Sequence, residues 1–248
     1  MNNRVALVTG AARGLGRAVV ERMLEEGFAV YLADARQDLL EITLEELKDY
    51  TSSAEGRLVE GRVSDVRDQA ACEAAVSACV ETFGRLDVLV NCAGVYPRAE
   101  ILSISKEDWH FDLDINVLGT YFMMAAAVRA MKSNPGGYIV NISSIDAFTA
   151  HEHNAHYAAS KAAVVSLTRS FAVAFAGVGI MVNSVAPGPL ATEAAKTMGW
   201  YDDMVASLPT RHPIEPVEIA DAVVYLSRSQ NKSITGEQLI VSGGLVLA

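Results

Sequence analysis

The chain has 248 residues and a formal net charge of −10, from 30 acidic and 20 basic residues. This acidic excess disfavours nucleic acid and anionic membrane surfaces as partners, because both attract clustered Lys and Arg. Hydrophobic residues make up 51% of the chain, which excludes a disordered composition and supports a substantial core.

The N-terminal stretch and the cysteines bear on the compartment. No secretory signal pattern is visible, and no apolar run reaches the roughly 20 residues that span a bilayer. The three cysteines form no CxxC pair, and an odd number suits reduced thiols. We therefore expect a cytoplasmic protein. Cys72 and Cys79, seven residues apart, are expected on one face of a helix as small core residues.

Short apolar runs alternate with helical patterns from one end of the chain to the other. Most of these runs are rich in Val, Ile and Leu, as expected for strands buried on both faces of a sheet. The predicted strands are residues 4–10, 28–34, 57–63, 86–94, 137–144, 180–188 and 237–244. Their alternation predicts an α/β fold with a doubly wound, mostly parallel seven-stranded sheet and helices on both faces. No linker or repeat divides the chain, so residues 1–248 are predicted to form one domain.

A glycine-rich stretch, TGAARGLG, follows the first strand and opens the first helix. Gly10, Gly14 and Gly16 would let the backbone turn sharply and approach an anion closely. The helix N-terminus would offer unpaired N–H groups and a positive dipole end to a pyrophosphate. The spacing differs from the Gly-x-Gly-x-x-Gly pattern, and glycine-rich turns also occur for purely steric reasons. The loop is therefore a candidate dinucleotide-binding site.

The second predicted strand ends at Asp34, 18 residues after Gly16. An acid near this offset accepts a hydrogen bond from the ribose 2′-hydroxyl of NAD and opposes the 2′-phosphate of NADP. The alternative is that Asp34 only ends a strand. Arg13 and Arg36 favour the other cofactor, because either guanidinium could reach a 2′-phosphate. We predict NAD, with NADP as the alternative.

The stretch AHEHNAHYAASK holds three histidines and a tyrosine four residues before a lysine. On a helix Tyr157 and Lys161 share one face, and a nearby ammonium group lowers the pKa of a phenol. Such pairs also occur on ordinary helices. His151, His153 and His156 are spaced i, i+2, i+5, unlike the i, i+4 pair of a helical metal site. No metal is predicted, and the histidines are either solvated loop residues or part of a binding wall.

One long segment, residues 189–216, interrupts the alternation of strands and helices. It carries Met198, Trp200, Tyr201 and Met204. A long insertion in a compact domain is usually a functional lid or a disordered segment. The aromatic and Met content favours a substrate lid, although packing against another subunit would give the same composition.

Together these features resemble the short-chain dehydrogenase/reductase family over almost the whole chain. The glycine loop resembles the cofactor loop of that family, and YAASK resembles its Tyr–Lys motif. NISS supplies a Ser thirteen residues before the Tyr, and INVLG supplies an Asn. Further similar elements are SDV at 64–66, NCAG at 91–94 and PGPLAT at 187–192. Cys92 departs from the pattern, replacing an Asn that is mainly a local support, so turnover is expected to survive.

The resemblance implies a Rossmann-type fold and hydride transfer between a nicotinamide and a carbinol or carbonyl carbon. In the implied catalytic set, Tyr157 exchanges the proton and Ser144 donates a hydrogen bond to the substrate oxygen. Asn116 would hold a water that passes protons on from Lys161. The implied cofactor-binding residues are Gly10, Arg13, Gly14, Leu15, Gly16, Asp34, Asp65, Val66, Asn91, Ala93, Gly94, Tyr157, Lys161, Pro187, Gly188, Leu190 and Thr192.

The substrate side of the site is predicted to be polar. In the family, the stretch between the catalytic Ser and Tyr lines the substrate pocket. Asp146, His151, His153 and Asn154 would give this wall carboxylate, imidazole and amide groups that bind hydroxyls. We therefore expect a small polar substrate, hydroxylated or carboxylated, with at least one of Asp146, His151 and His153 touching it.

Two other functions remain open from the sequence. An NADPH-dependent reductase of 3-oxoacyl thioesters is favoured by Arg13 and Arg36 and opposed by Asp34. A non-catalytic nucleotide-binding regulator is opposed by the fact that every catalytic position is filled. The resemblance also implies a homo-oligomer, a tetramer or a dimer, with a helix at 109–131 and the helix after Tyr157 pairing between subunits.

Overall fold

The computed structural model describes residues 4–48, 58–132, 136–150 and 152–247. Seven strands form one sheet in the order β3-β2-β1-β4-β5-β6-β7, and each neighbouring pair is parallel. The strands are β1 Val5–Thr9, β2 Ala29–Asp34, β3 Val59–Val63, β4 Val88–Asn91, β5 Gly137–Ile142, β6 Ile180–Pro187 and β7 Gln238–Val241. The predicted fold class and all seven predicted strands are confirmed.

The sheet is buried on both faces, as the apolar runs predict. All five residues of β1 are buried. Ala6 and Val8 belong to the core on one face, and Val5 and Leu7 belong to the core on the other. Successive side chains of a strand point to opposite faces, so a two-sided core requires an unbroken apolar run.

Helices cover both faces of this sheet. They are α1 Gly14–Glu25, α2 Gln37–Glu46, α3 Gln69–Phe83, α4 Lys106–Asp112, α5 Thr120–Met131, α6 Ala155–Phe175, α7 Glu193–Lys196, α8 Tyr201–Ser207 and α9 Pro216–Leu226. Helix α1 packs against α9, and α3 packs against α5. Cys72 and Cys79 lie fully buried on α3, as predicted, and burial raises the pKa of each thiol to about 12.

The predicted continuous helix at 109–131 is wrong in one detail. Between α4 and α5 the backbone forms a π-helical segment, Leu113–Gly119. Its last residue packs so closely on the loop after β3 that a Cβ at Gly119 would lie 2.7 Å from Val66 Cγ2. Wide π turns inside helices are frequent at functional sites, and this one carries Asn116.

The two ends of the segment 189–216 are joined to each other by backbone pairing. Leu190 and Ile214 form a parallel bridge, and Ile214 is part of the main core. Between them, α7 and α8 pack on each other through a small separate cluster that contains Ala191, Ala195 and Tyr201. The part of the segment that carries α7 and the start of α8 thus packs in its own cluster, whereas Leu190, Leu208 and Ile214 join the main core. Its role as a lid stays a prediction.

Two helical stretches of the described chain are long and apolar enough to cross a membrane by length and composition alone. They are Lys106–Met131, which is half buried in the protein, and Ala155–Val178, which is 28% buried. Core helices of soluble proteins pass the same test, and α6 packs directly on β6.

Candidate active site

The glycine loop connects β1 to α1 at the carboxyl edge of the sheet. Gly10 and Gly14 have positive φ angles of 62° and 55°, which favour glycine. A Cβ at Gly16 would lie 2.0 Å from the Gly10 carbonyl oxygen, so the first turn of α1 lies directly on the end of β1. Leu15 packs against the main core from this turn, and Arg13 is exposed. The glycine loop therefore brings the N-terminus of α1 to the carboxyl edge of the sheet.

Asp34 holds the glycine loop from the end of β2. Its carboxylate accepts hydrogen bonds from the backbone N–H of Ala12 and of Arg36, both at 2.9 Å, and the residue is 8% exposed. Thr43 completes the support by donating to the carbonyl of Ala12 at 2.9 Å. Hydrogen bonds to a charged group contribute about 1.5–3 kcal/mol each. Asp34 therefore does not merely end β2, because its carboxylate also fixes the conformation of the glycine loop. Its contact with a ribose hydroxyl stays a prediction.

The two arginines that favour NADP differ in their surroundings. Arg36 is engaged with Asp38 through two hydrogen bonds of 3.1 and 2.9 Å. This pairing raises the pKa of Arg36 and lowers that of Asp38. Arg13 forms no ion pair with a described residue. Of the two, Arg13 is the guanidinium that is not already neutralised by a neighbouring carboxylate.

The strand order reverses between β1 and β4, and the crevice outside such a switch point is where ligands bind in open α/β sheets. Ala93 donates its N–H to Thr9 Oγ1 at 3.1 Å, which ties the loop after β4 to the end of β1. A Cβ at Gly10 would lie 2.9 Å from the Ala93 backbone. Asn91 donates to Asn141 Oδ1 at 2.8 Å and so links β4 to β5. These contacts form the floor of the crevice.

The remaining predicted cofactor residues line the same edge. Val66 is buried, and Asp65 beside it pairs with Arg67, which lowers the pKa of Asp65. Beyond Pro187, the last residue of β6, Gly188 donates its N–H to Val241 at 2.9 Å. Thr192 caps α7 by accepting from Ala195 at 3.2 Å. Its methyl group lies 4.0 Å from where a Cβ at Gly14 would be, so the segment with Leu190 and Thr192 reaches over the glycine loop.

Ser144, Tyr157 and Lys161 come together beside this crevice. Ser144 follows β5, and its side chain forms a hydrogen bond with Tyr157. Lys161 lies one turn further along α6, with Nζ 5.8 Å from the centroid of the Tyr157 ring. The buried ammonium donates to the carbonyl oxygen of Ile142 at 3.0 Å. The end of β5 and the first turns of α6 thus fix the three side chains relative to one another.

Asn116 joins this group from the π-helical segment. Its Oδ1 accepts from the backbone N–H of Val95 at 2.9 Å, and its Nδ2 donates to the carbonyl of Val95 and to Ser160 Oγ, both at 3.0 Å. A Cβ at Gly94 would lie 3.1 Å from Asn116 Oδ1 and 3.3 Å from Lys161 Nζ. The side chain therefore clamps the loop after β4 to α6 and lies close to the ammonium group. The predicted water relay stays a prediction.

Burial dominates the electrostatics of the Tyr–Lys pair. It raises the pKa of Tyr157 well above its usual value, which the Ser144 hydrogen bond offsets only in part. Burial also lowers the pKa of Lys161 to about 8, while the negative charge of Asp112 works in the opposite direction. Burial thus sets the direction of the Tyr157 pKa in the structure, and the lowering of that pKa by Lys161 stays a prediction. The ammonium is directed at the Ile142 carbonyl, and desolvation of the phenolate outweighs its effect.

The predicted polar wall is partly assembled. Asp146 accepts a 2.7 Å hydrogen bond from Asn154 Nδ2, and its backbone N–H donates to Ser144 Oγ at 3.1 Å. His153 is 37% exposed and lies 3.1 Å from Glu100 and 3.3 Å from Glu152. Its carbonyl accepts from Ala99, which connects the wall to the loop after β4.

The three histidines of this stretch do not form one cluster. His151 lies outside the described residues. His153 is at the surface, whereas His156 is fully buried beside Asp112 on the inner face of α6. Within the described ranges, no group of three or more His, Cys, Asp or Glu side chains is arranged to hold a metal ion. The absence of a metal from the mechanism stays a prediction.

Sequence reasoning missed residues whose contacts cross long stretches of chain. The Arg98 guanidinium lies 5.5 Å from the centroid of the Trp200 ring and joins the loop after β4 to the segment 189–216. Ser160 Oγ accepts a hydrogen bond from Asn116. The only signal for this contact in the sequence is that Ser160 lies between Tyr157 and Lys161. Asp112 belonged to no motif, and His156 stood out only as one of three histidines, so their pairing is visible only in the structure, where both are buried.

Comparisons with known proteins agree with this geometry. A family model described as enoyl-(acyl carrier protein) reductase matches residues 10–246. The chain is 35% identical to a 3alpha-hydroxysteroid dehydrogenase of Mediterraneibacter gnavus, over 98% of this chain and 97% of the relative. It is 36% identical to a trans-4-hydroxycyclohexanecarboxylate dehydrogenase of Sinomonas cyclohexanicum, over 97% and 92% of the two chains.

A solved structure of an actinorhodin polyketide ketoreductase with NADPH superposes with a TM-score of 0.90. The two chains are 32% identical, and the match covers 98% of this chain and 97% of the other. Fold, site and sequence identity over the whole length thus agree. The chain belongs to the short-chain dehydrogenase/reductase family of NAD(P)-dependent oxidoreductases.

Proposed function

We propose that this protein catalyses reversible hydride transfer between NAD(H) and a small polar secondary alcohol or ketone. The observation that carries the proposal is the convergence of Ser144, Tyr157, Lys161 and Asn116 at the edge of the sheet, next to the glycine loop. A bound nicotinamide would accept the hydride from the carbinol carbon or supply it to the carbonyl carbon. The protein residues bind the substrate oxygen and move its proton.

In the direction of oxidation, the Tyr157 phenolate takes the hydroxyl proton while the carbinol C–H bond breaks and the C=O bond forms. Ser144 donates a hydrogen bond to the same oxygen and orients it. Lys161 stabilises the phenolate. Asn116 holds the loop that follows β4 against helix α6. In reduction the phenol returns its proton to the alkoxide, so one group acts as base and as acid.

NAD(H) is the proposed cofactor because Asp34 places a carboxylate at the end of β2. A carboxylate there favours a ribose hydroxyl and opposes a phosphate. The pairing of Arg36 with Asp38 supports this choice, since it neutralises a guanidinium that would otherwise attract a 2′-phosphate. Exposed Arg13 and the ketoreductase with NADPH support the alternative, NADP(H). The choice between NAD(H) and NADP(H) therefore depends on whether the charge of Asp34 or that of Arg13 has the larger effect.

The proposed substrate class follows from the wall that Asp146, His153 and Asn154 form between Ser144 and Tyr157. Carboxylate, imidazole and amide groups bind hydroxylated or carboxylated molecules. The hydroxycyclohexanecarboxylate dehydrogenase among the relatives is named for a substrate of this kind. Reduction of 3-oxoacyl thioesters is the second candidate, supported by the description of the family model and by the polyketide ketoreductase. The net charge of −10 works against docking of an acidic carrier protein.

We also infer a homo-oligomer, a tetramer or a dimer, in the cytoplasm. The helices on both sides of the site expose large apolar side chains, among them Phe111 at 44%, Tyr121 at 43% and Val173 at 86%. Apolar side chains of this size on neighbouring helices favour burial against a second copy. Light scattering with increasing protein concentration would test the oligomer.

The experiment that tests the function follows nicotinamide absorbance with NAD or NADP and a panel of secondary alcohols, and with NADH or NADPH and the matching ketones. Hydroxy acids, polyols, sterols and a 3-oxoacyl thioester should be included. Turnover of a polar alcohol with NAD supports the proposal. Turnover of the thioester alone, with NADPH, would replace it by the second candidate.

A further inference from the structure

Asp112 and His156 form a buried pair directly behind the active site. Both residues are 0% exposed, and His156 Nε2 lies 3.7 Å from Asp112 Oδ2. Among the described residues, no side chain or backbone group forms a hydrogen bond with either carboxylate oxygen or with either ring nitrogen. Trp109 closes the pair from the other side, with its ring 6.2 Å from the imidazole. A buried carboxylate without hydrogen bonds is costly unless a positive charge compensates it.

The pair repeats, one turn away, a contact that already belongs to the site. Asn116 and Ser160 join the π-helical segment to α6 at 3.0 Å. Asp112 precedes Asn116 by four residues, and His156 precedes Ser160 by four residues. Residues four apart share a helix face, so the two contacts are successive steps along one buried polar seam. Lys161 lies at the Ser160 end of this seam.

The charge of Asp112 at one end of this buried polar seam acts on Lys161 at the other end. Asp112 is faced by Asp108 from α4, and by Lys161 and His156 from α6. Burial raises the pKa of Asp112 to about 6, and the attraction of Lys161 works against that rise. Burial lowers the pKa of His156, so at neutral pH the imidazole is neutral and the carboxylate is charged. That negative charge raises the pKa of both Lys161 and Tyr157, and Cys92 also faces Lys161.

We propose that Asp112 is a positioning residue for the proposed hydride transfer, acting as the buried counter-charge of Lys161 from its place beside His156. The proposal rests on the proposed function, because it concerns the same Tyr–Lys pair. Asp112 touches neither substrate nor cofactor in this scheme. Its charge keeps protons on the Tyr157–Lys161 pair, which sets the upper end of the pH range for ketone reduction.

The test compares pH profiles of ketone reduction for the parent and Asp112→Asn. Without the carboxylate charge, both members of the pair lose protons more easily. The alkaline limb should therefore move to lower pH by about one unit, which corresponds to an about tenfold lower rate on that limb. Below pH about 6 the parent carboxyl is itself protonated, so the two profiles should meet there. KM for the ketone should change little.

Two variants separate charge from shape. Asp112→Glu keeps the charge and should keep the parent alkaline limb. Asp114→Asn removes the same charge two residues further on, at a residue whose carboxylate acts on Arg67, and should leave the profile unchanged. Superposable profiles for the parent and Asp112→Asn would overturn the proposal. If the parent itself shows no nicotinamide-dependent turnover, it is the proposed function that fails.

A second measurement needs no catalysis and covers the case in which Asp112→Asn does not fold. The ring proton resonances of His156, assigned by their loss in His156→Phe, should report the titration of Asp112 near pH 6. In Lys161→Met the midpoint should rise, because the ammonium that stabilises the carboxylate is gone. An unchanged midpoint would show that Asp112 and Lys161 are not coupled and would overturn the proposal.

Discussion

Lys161 donates a 3.0 Å hydrogen bond from Nζ to the carbonyl oxygen of Ile142, the last residue of β5. The ammonium group is therefore held by the sheet as well as by α6. Because Ser144 lies two residues further along the same chain segment, one strand end positions both partners of Tyr157. This explains how a phenol on a helix can be placed accurately relative to a cofactor crevice at the edge of a sheet.

Replacing Tyr157 with Phe should remove the proton-transfer group and leave the glycine loop intact. Loss of a general acid–base group lowers rates by about 100- to 10,000-fold, so kcat should fall by that much while the Kd for NADH stays within about threefold of the parent value. Stopped-flow turnover and NADH fluorescence titration measure the two quantities. Tyr225→Phe, which removes an exposed phenol from α9, is the matched control and should keep most of the activity. Near-normal turnover in Tyr157→Phe would contradict the mechanism.

Ketone reduction should be lost as pH rises through about 8. The reaction needs the Tyr157 phenol and the Lys161 ammonium, and burial lowers the pKa of Lys161 to about 8 while raising that of Tyr157. The lysine is therefore the first of the two to lose its proton, and the rate of reduction declines above that pH. Initial rates of ketone reduction from pH 6 to 10 at saturating NADH measure this decline. A rate that stays constant up to pH 10 would contradict the prediction.

The fold was predictable because its signals are local. Each strand buries both faces, so Val, Ile and Leu run without interruption, and Gly27 marks the end of the first helix with a φ of 81°. The predicted strand at 86–94 is longer than the observed Val88–Asn91 because the residues that follow leave the sheet and form the crevice floor. The motif residues at the edge of the sheet also follow strand ends, which is why their neighbourhood could be anticipated.

The π-helical segment and the buried seam were not predictable in the same way. A π turn shifts the backbone hydrogen bonds by one residue without changing composition, so Leu113–Gly119 has the apolar pattern of an ordinary helix. The burial of Asp112 depends on residues of α6 that lie far along the chain, and so does the contact of Arg98 with Trp200. The pKa of Tyr157 depends on how deeply the phenol is buried, which no spacing reveals.

Asp34→Asn should change both cofactor choice and stability. The amide carries no charge to oppose a 2′-phosphate, so the ratio of kcat/KM for NADP to that for NAD should rise at least about tenfold. An amide oxygen can replace one of the two hydrogen bonds from Ala12 and Arg36 well but not both, so the free energy of unfolding should fall by about 1–3 kcal/mol. Steady-state kinetics and urea unfolding measure these effects. Arg13→Gln should lower NADP activity alone, and a parent enzyme that already prefers NADP would contradict the role given to Asp34.

The segment 189–216 should close over the nicotinamide end when cofactor and substrate are both present. Closure would exclude water from the hydride path, and the Arg98–Trp200 contact would connect the cover to the loop after β4. Limited proteolysis within the segment should slow at least about fivefold with both ligands. In Trp200→Ala the protection should weaken, whereas Tyr225→Ala, an exposed aromatic on α9, serves as control. Equal cleavage rates with and without ligands would count against a lid.

The last prediction concerns the polar wall between Ser144 and Tyr157. The Asp146 carboxylate accepts a hydrogen bond from Asn154, and the Asp146 backbone N–H donates to Ser144 Oγ, so the residue is held beside the group that binds the substrate oxygen. Asp146→Ala should raise KM for the best polar substrate by about tenfold or more, since a lost hydrogen bond to a charged group costs about 1.5–3 kcal/mol. His153→Ala should raise KM less, because that imidazole is 37% exposed and already lies beside Glu100 and Glu152.

His110→Ala, at a histidine on α4 outside the wall, is the matched control and should leave KM unchanged. Each variant should be assayed before and after EDTA treatment, because His151 and His153 would be the ligands of any metal in this stretch. Activity that is lost with EDTA and restored by zinc would bring a metal back into the mechanism. Unchanged KM and kcat in both wall variants would place the substrate away from this wall.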